Sequence, residues 1–457
     1  MHGVINHISR LCAGLMLLGA VSYTGGGQVL ASSVQSGQVI GAEAAAPTAA
    51  PAAAAADVSS SMTVLGSPFK KAPYARNVWD MQLFGGKIYL GHGNSSNNAP
   101  SPNAGPVPIY YWDLAQNKFS VQDVTYTNPA TGKVTTNVYV MDEQIDTFKV
   151  LNGELYIPGH DSRVPGWAYG NFYRLNGDHW DQYMNIPGGI HVYDMAYYKG
   201  KLYAALGANE GPLIYVSSNR GATWTRLGSV SQYGIMRAYN LFELGDTLYA
   251  SSATAGKTQG IANEKGYMTS IKQSSSGGVQ TSKLTFTSTQ LFPGLSFVTK
   301  PGEVNVPGVS GQPWLKLLRT TPVNDRLLYI AGVIYNDHQS IPQGLFSAGA
   351  DFQNVRKERL PDSAVVPMDI LERGETVYVL GYVKEASGQY TNVVCRKNTA
   401  GFAAGGDGWS EVFRFSGDTF ARSFEEHNGD FYFGLGSYAD VIPASTGTIL
   451  KLSAGAY

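Results

Sequence analysis

Histidine, arginine and tyrosine recur in this chain at intervals that would let them act together. His191 and Arg237 lie 46 residues apart, and each precedes a tyrosine, Tyr203 or Tyr249, by twelve residues. Gln144 and Asn77 hold the same position before Tyr156 and Tyr89, while His160 and His92 follow those two tyrosines by four and three residues. Imidazole moves protons near neutral pH, guanidinium holds an anion, and the phenols of Tyr193, Tyr233 and Tyr239 can donate or accept. Together such groups could bind a carboxylate and pass a proton. The commonplace alternative is that they satisfy one another at a wet channel mouth. His160, His191, Tyr233 and Tyr239 are therefore candidates for catalysis, and Arg237, His92, Gln144 and Asn77 for substrate binding.

The shared tyrosines mark the elements that must position these side chains. FGGKIYLG, LNGELYIP, YKGKLYAA, ELGDTLYAS, VNDRLLYIA, ERGETVYVL and HNGDFYFG each join an apolar strand, a tight turn and a second strand carrying Tyr89, Tyr156, Tyr203, Tyr249, Tyr329, Tyr378 or Tyr432. The spacing of 67, 47, 46, 80, 49 and 54 residues fits blades of about 40 to 50 residues with two insertions. Further apolar runs, such as YGNFYRLNGDHW and PLIYVSSNRGATW, supply a second strand pair per repeat. The fold predicted is all-β, a seven-bladed β-propeller with four-stranded antiparallel blades. Its ring would be closed by an N-terminal strand, Met62 to Leu65, completing the blade of Tyr432. In that register the twelve-before position opens the channel-lining strand, so His191, Arg237 and His160 should share one face. Nine before each tyrosine stand Asp80, Asp194, Asn240, Thr320, Asp369 and Ser423, with Thr147 beside Asp146 in the remaining repeat. Recurrence in every repeat predicts a structural role, bonding backbone groups between blades.

Composition narrows the function. Lysine plus arginine (33) balances aspartate plus glutamate (34), so no global field favours nucleic acid or an anionic membrane. Residues 1–31 read as a signal peptide, with an apolar run from Leu11 to Val21 too short to span a bilayer. Residues 32–61, rich in Ala, Pro and Ser, read as a linker, and 62–457 as the propeller. The expectation is a secreted, extracellular protein of bacterial type with no membrane insertion, monomeric, its one remaining cysteine, Cys395, a free thiol. No HExxH, cysteine pair or Asp-rich calcium loop is present, and no organic cofactor is called for. A structural metal ion is left open, with Asp337 and His338 the only suggestion of a place for it.

SSNRGATW, residues 217–224, resembles the Asp-box hairpin of sialidase-type propellers, with Asn219 where Asp is usual. The three arginines and the Phe-Arg-Ile-Pro-like segment of a sialidase are not found. PGHDSR, YGNFYRLNGDHW, GGIHVYDM and VSSNRGATW, between about residues 141 and 224, are similar in order to the propeller-type polysaccharide lyases, the ulvan lyases among them. That resemblance implies β-elimination beside a uronic acid. His160 and His191 would be the histidines, Arg237 the carboxylate partner and Tyr233 or Tyr239 the phenol. Two functions stay open: a lyase acting on an acidic polysaccharide, and a non-catalytic propeller binding carbohydrate or protein.

Overall fold

The computed structural model describes residues 55–95, 104–162, 169–208, 211–230, 237–255, 265–295, 314–335, 339–404, 408–438 and 441–457. The signal-peptide range, most of the linker range, Tyr233, Asp337 and His338 lie outside them. The chain divides at Ala53/Ala54, and the first unit falls wholly outside the described residues. No described helix is long and apolar enough to cross a membrane.

The repeated turn chemistry produces hairpins. Asp80–Phe84 pairs antiparallel with Lys87–Gly91 across Gly85 and Gly86, whose φ of +57° and +74° match the two positive values a tight hairpin demands. Asn152 and Gly153 do the same between Lys149–Leu151 and Glu154–Pro158. Six of the seven shared tyrosines are buried, and Tyr378 is half-buried. Each of the six buried ones therefore stabilises its sheet by roughly the 1.5–3 kcal/mol typical of fully burying a large side chain.

The result is an all-β protein with several four-stranded antiparallel sheets. His191–Tyr198, Lys201–Ala208, Gly211–Ser217 and Thr225–Ser229 form one. Asn240–Leu244, Thr247–Ser251, Lys265–Gln273 and Val279–Thr287 form another. In a third, Ala421–His427, Asp430–Leu435 and Ile449–Leu452 are joined on the outside by Thr63–Gly66. Two sheets gain a fifth strand. Thr254–Ala255 lies beside Trp314–Val323, and Ala56–Asp57 pairs in parallel with Ser410–Gly417. Among the described residues, strand pairing thus reaches back to Ala56, inside the range read as linker, and Val58 is buried in a core with Phe413 and Phe415. The first two repeats depart from separate four-stranded units. Lys118–Thr127 runs parallel to His179–Pro187, fusing them into one nine-stranded sheet. The first of the two long intervals supplies the extra strand length.

Cores form between sheets rather than within them. One cluster holds Phe242 and Tyr249 of one sheet with Leu317, Tyr329 and Phe346 of the next. The nine-before residues join neighbouring sheets by their backbones. Asp80 accepts from the Phe148 N–H (2.7 Å), Asp194 from Leu241 (2.8 Å) and Asp369 from Phe424 (3.2 Å). Asn240 donates to the Leu317 carbonyl (3.0 Å) and Ser423 to that of Val78 (2.9 Å). Where the repeat has threonine instead, ion pairs take over: Lys149 reaches Asp194 at 2.9 Å and Arg319 reaches Asp369 at 3.0 Å.

Candidate functional site

The first strands of the sheets, with the segments that enter them, line a cavity of about 1260 Å³. His191 opens its strand opposite Gly207, and Arg237 bridges to the same Gly207 from the next sheet. A Cβ at Gly207 would lie 3.0 Å from both the Arg237 side chain and the Tyr193 ring, so this glycine admits their close approach. His160 arrives on a short strand, His160–Ser162, paired with Asp142–Gln144.

Tyr193 is the hub of the group. Its ring centroid lies 4.9 Å from that of His160, edge-on, 5.5 Å from His191 and 5.1 Å from Tyr239. The Arg237 guanidinium carbon is 5.9 Å from the same ring. The two histidines are 6.3 Å apart, centroid to centroid. Lys316 places its ammonium 4.5 Å from the Tyr239 ring. Gln144 donates to the Asp146 carboxylate at 2.8 Å and accepts from the Ser95 N–H at 3.2 Å. Burial would raise the Asp146 carboxyl, but His160, Lys316, Arg319 and the Gln144 amide outweigh it and hold it below its ordinary value. A negative charge thus stays beside His160.

Of the residues singled out from sequence, His160, His191, Arg237, Tyr239 and Gln144 line this one cavity. His92 and Asn77 do not. His92 is fully buried, its Nε2 2.9 Å from the Pro108 carbonyl and its ring packed on Phe69. Burial pushes its imidazole down to about 4, so it stays neutral. Asn77 is also fully buried and accepts from the Ser437 N–H (2.7 Å) and from Arg422 (3.1 Å).

Sequence reasoning missed Lys316, Arg319 and Arg422, all on the cavity wall. Lys316 stands one residue before the twelve-before position. Leu317, at that position, turns into the apolar core, so its neighbour takes the other face of the strand. Arg319 sits in a bulge where the register shifts between Leu318 and Thr321, with φ at +49°. It bonds Asp80 at 2.9 Å, Asp369 at 3.0 Å and the Trp79 carbonyl. Two buried carboxylates share this one guanidinium. Burial raises both despite Arg319, helped by repulsion from Asp146 at Asp80 and from Asp80 at Asp369, which is pushed up to about 7.

No family model matches this chain. No curated protein matches it either. Solved structures give weak likenesses. A Trypanosoma rangeli sialidase is 13% identical with a TM-score of 0.32, over 55% of this chain and 45% of that one. A GH74 enzyme of Niastella koreensis is 11% identical with a TM-score of 0.45, over 81% and 53%. The polysaccharide lyase Uly1 is 11% identical with a TM-score of 0.39, over 85% and 91%. The chain spans about half the length of the first two. At these values the likenesses assign no activity and no residue.

Proposed function

We propose that this chain is a secreted seven-bladed β-propeller that cleaves an acidic polysaccharide by β-elimination. Support for the ring comes from the side-chain ties between sheets, which lead from Asp80 to Phe148, Lys149 to Asp194, Asp194 to Leu241, Asn240 to Leu317, Arg319 to Asp369, Asp369 to Phe424 and Ser423 back to Val78. Thr63–Gly66, beside the last strand of the chain, would close it.

The observation that carries the chemistry is Tyr193 in ring contact with His160, His191 and Tyr239, with Arg237 beside it, in a cavity large enough for sugars. In β-elimination a base removes the proton α to the uronate carboxylate, the electron pair forms a carbon–carbon double bond, and the glycosidic oxygen leaves with a returned proton. Arg237, with Lys316 nearby, stabilises the charge that builds on the carboxylate oxygens. His191 takes the proton, and Tyr193 returns one to the leaving oxygen. Residues 1–31 act as a removed signal peptide, so secreted protein should begin near Ser32.

The test uses purified protein and a panel of uronate polysaccharides, followed by ultraviolet absorbance of the unsaturated product. Arg237→Ala should weaken uronate binding while leaving neutral glycans unaffected. His191→Ala and Tyr193→Phe should abolish turnover with binding largely kept, because proton transfer contributes mainly in the transition state. Tight uronate binding without product from wild-type protein would establish the binding module instead.

A further inference from the structure

Arg422 lies in the cavity wall and is 8% exposed. A guanidinium so buried is normally matched by a carboxylate, because stripping its water is costly. Among the described residues Arg422 has no such partner. Nε donates to the Asn77 Oδ1 at 3.1 Å and Nη2 to the Ser437 carbonyl at 2.8 Å, both neutral acceptors. Nη1 makes no hydrogen bond among the described residues. Rings surround the rest: the guanidinium carbon is 4.4 Å from the centroid of Trp79, 5.2 Å from Phe420 and 5.7 Å from Tyr438. Contact with the Trp79 ring covers part of the guanidinium, and Nη1 is left for a ligand. Burial holds the guanidinium below its ordinary value, with no carboxylate among the groups opposing that shift. Trp79 is itself fixed, its indole N–H donating to the Gly93 carbonyl at 2.8 Å.

We propose that Arg422 is a second anion-binding subsite of this cavity, taking the carboxylate or sulfate of a sugar adjacent to the one held at Arg237, with Trp79 beside it as an aromatic wall. Its ligand rests on the acidic-polysaccharide function proposed above. Asn77, buried behind it, is the positioning residue that aims the guanidinium. A second anionic subsite makes the protein prefer chains of several acidic residues over a single acidic sugar.

Inorganic sulfate is titrated against the folded chain while tryptophan fluorescence is followed, since the Trp79 ring lies against the responding group. Wild-type protein and Arg237→Ala should show a saturable change, and Arg422→Gln should lose it or need at least about tenfold more sulfate, a loss of about 1.4 kcal/mol. If Arg422→Gln does not fold, Arg422→Lys, which keeps the charge but not the planar fork, should show a weakened response. No response in wild-type protein, or equal responses in wild type and Arg422→Gln, overturns the site. Tetragalacturonate and a sulfated, uronate-free galactan oligosaccharide then separate the two sources, the true one losing affinity in Arg422→Gln. Equal binding of both oligosaccharides by wild type and Arg422→Gln overturns the subsite alone. A sulfate response at Arg422 with no acidic oligosaccharide bound overturns the subsite together with the proposed function.

Discussion

Arg319 shows how single residues set the electrostatics of the cavity. Its left-handed backbone costs roughly 1–3 kcal/mol of local strain, and its pairs with Asp80 and Asp369 hold it there. Asp369 keeps its proton up to about 7 in the folded state, against a usual value of 3.8. The folded chain therefore binds more protons than the unfolded one between those values, and this group's contribution to stability falls as pH rises through that window. Glu425, pushed up to about 8 by burial although Arg373 bonds it at 2.7 Å, acts in the same direction. Asp146, held low, acts in the opposite direction, its contribution being lost as pH falls. Asp369→Asn removes one such slope. Denaturant melts should show its stability relative to wild type improving from pH 5 to pH 7, by at most about 1.4 kcal/mol per pH unit. A difference independent of pH would mean that Asp369 is ionised throughout.

At the level of elements, the nine-before aspartates act as rivets between hairpins. Asp194 accepts from its neighbour Met195 and from Leu241 in the next sheet, and it also pairs with Lys149. Asp194→Ala leaves the Leu241 N–H without that acceptor, which should cost about 1–3 kcal/mol in a urea melt. An unchanged midpoint would show that water replaces the carboxylate. The turn at 217–224 is tied in a similar way. Ser217 accepts from the Gly221 N–H and Asn219 from the Thr223 N–H, both at 2.9 Å, while Trp224 packs edge-on against Phe172. Asn219→Asp keeps the acceptor and should melt within about 0.5 kcal/mol of wild type.

For the whole molecule, the described strands nearest the N-terminus matter out of proportion to their length. Thr63–Gly66 covers the edge of Ile449–Leu452, and Ala56–Asp57 covers that of Ser410–Gly417. Removing residues 55–66 bares both edges, which invites pairing between molecules. The truncated chain should melt at lower temperature than wild type and elute as larger species in size-exclusion chromatography. A monomer melting as wild type does would refute the closing role.

The sequence by itself determined the hairpins, because Gly-containing turns and alternating apolar residues act over a few neighbours and leave a repeat that can be counted. It also determined that His160, His191 and Arg237 would meet, since strand register carries a side chain to a known end of its sheet. Tertiary structure decided the rest. His92 and Asn77 occupy equivalent registers yet are buried by Phe69 and Arg422, residues distant in sequence whose approach no local pattern encodes. Lys316 faces the cavity because Leu317 beside it turns into a core shared with the neighbouring sheet, and Arg319 because a bulge breaks the alternation that made the other strands legible. Arg422 is conspicuous only once its surroundings are known, for a buried guanidinium whose hydrogen-bond partners among the described residues are all neutral is a property of packing in three dimensions.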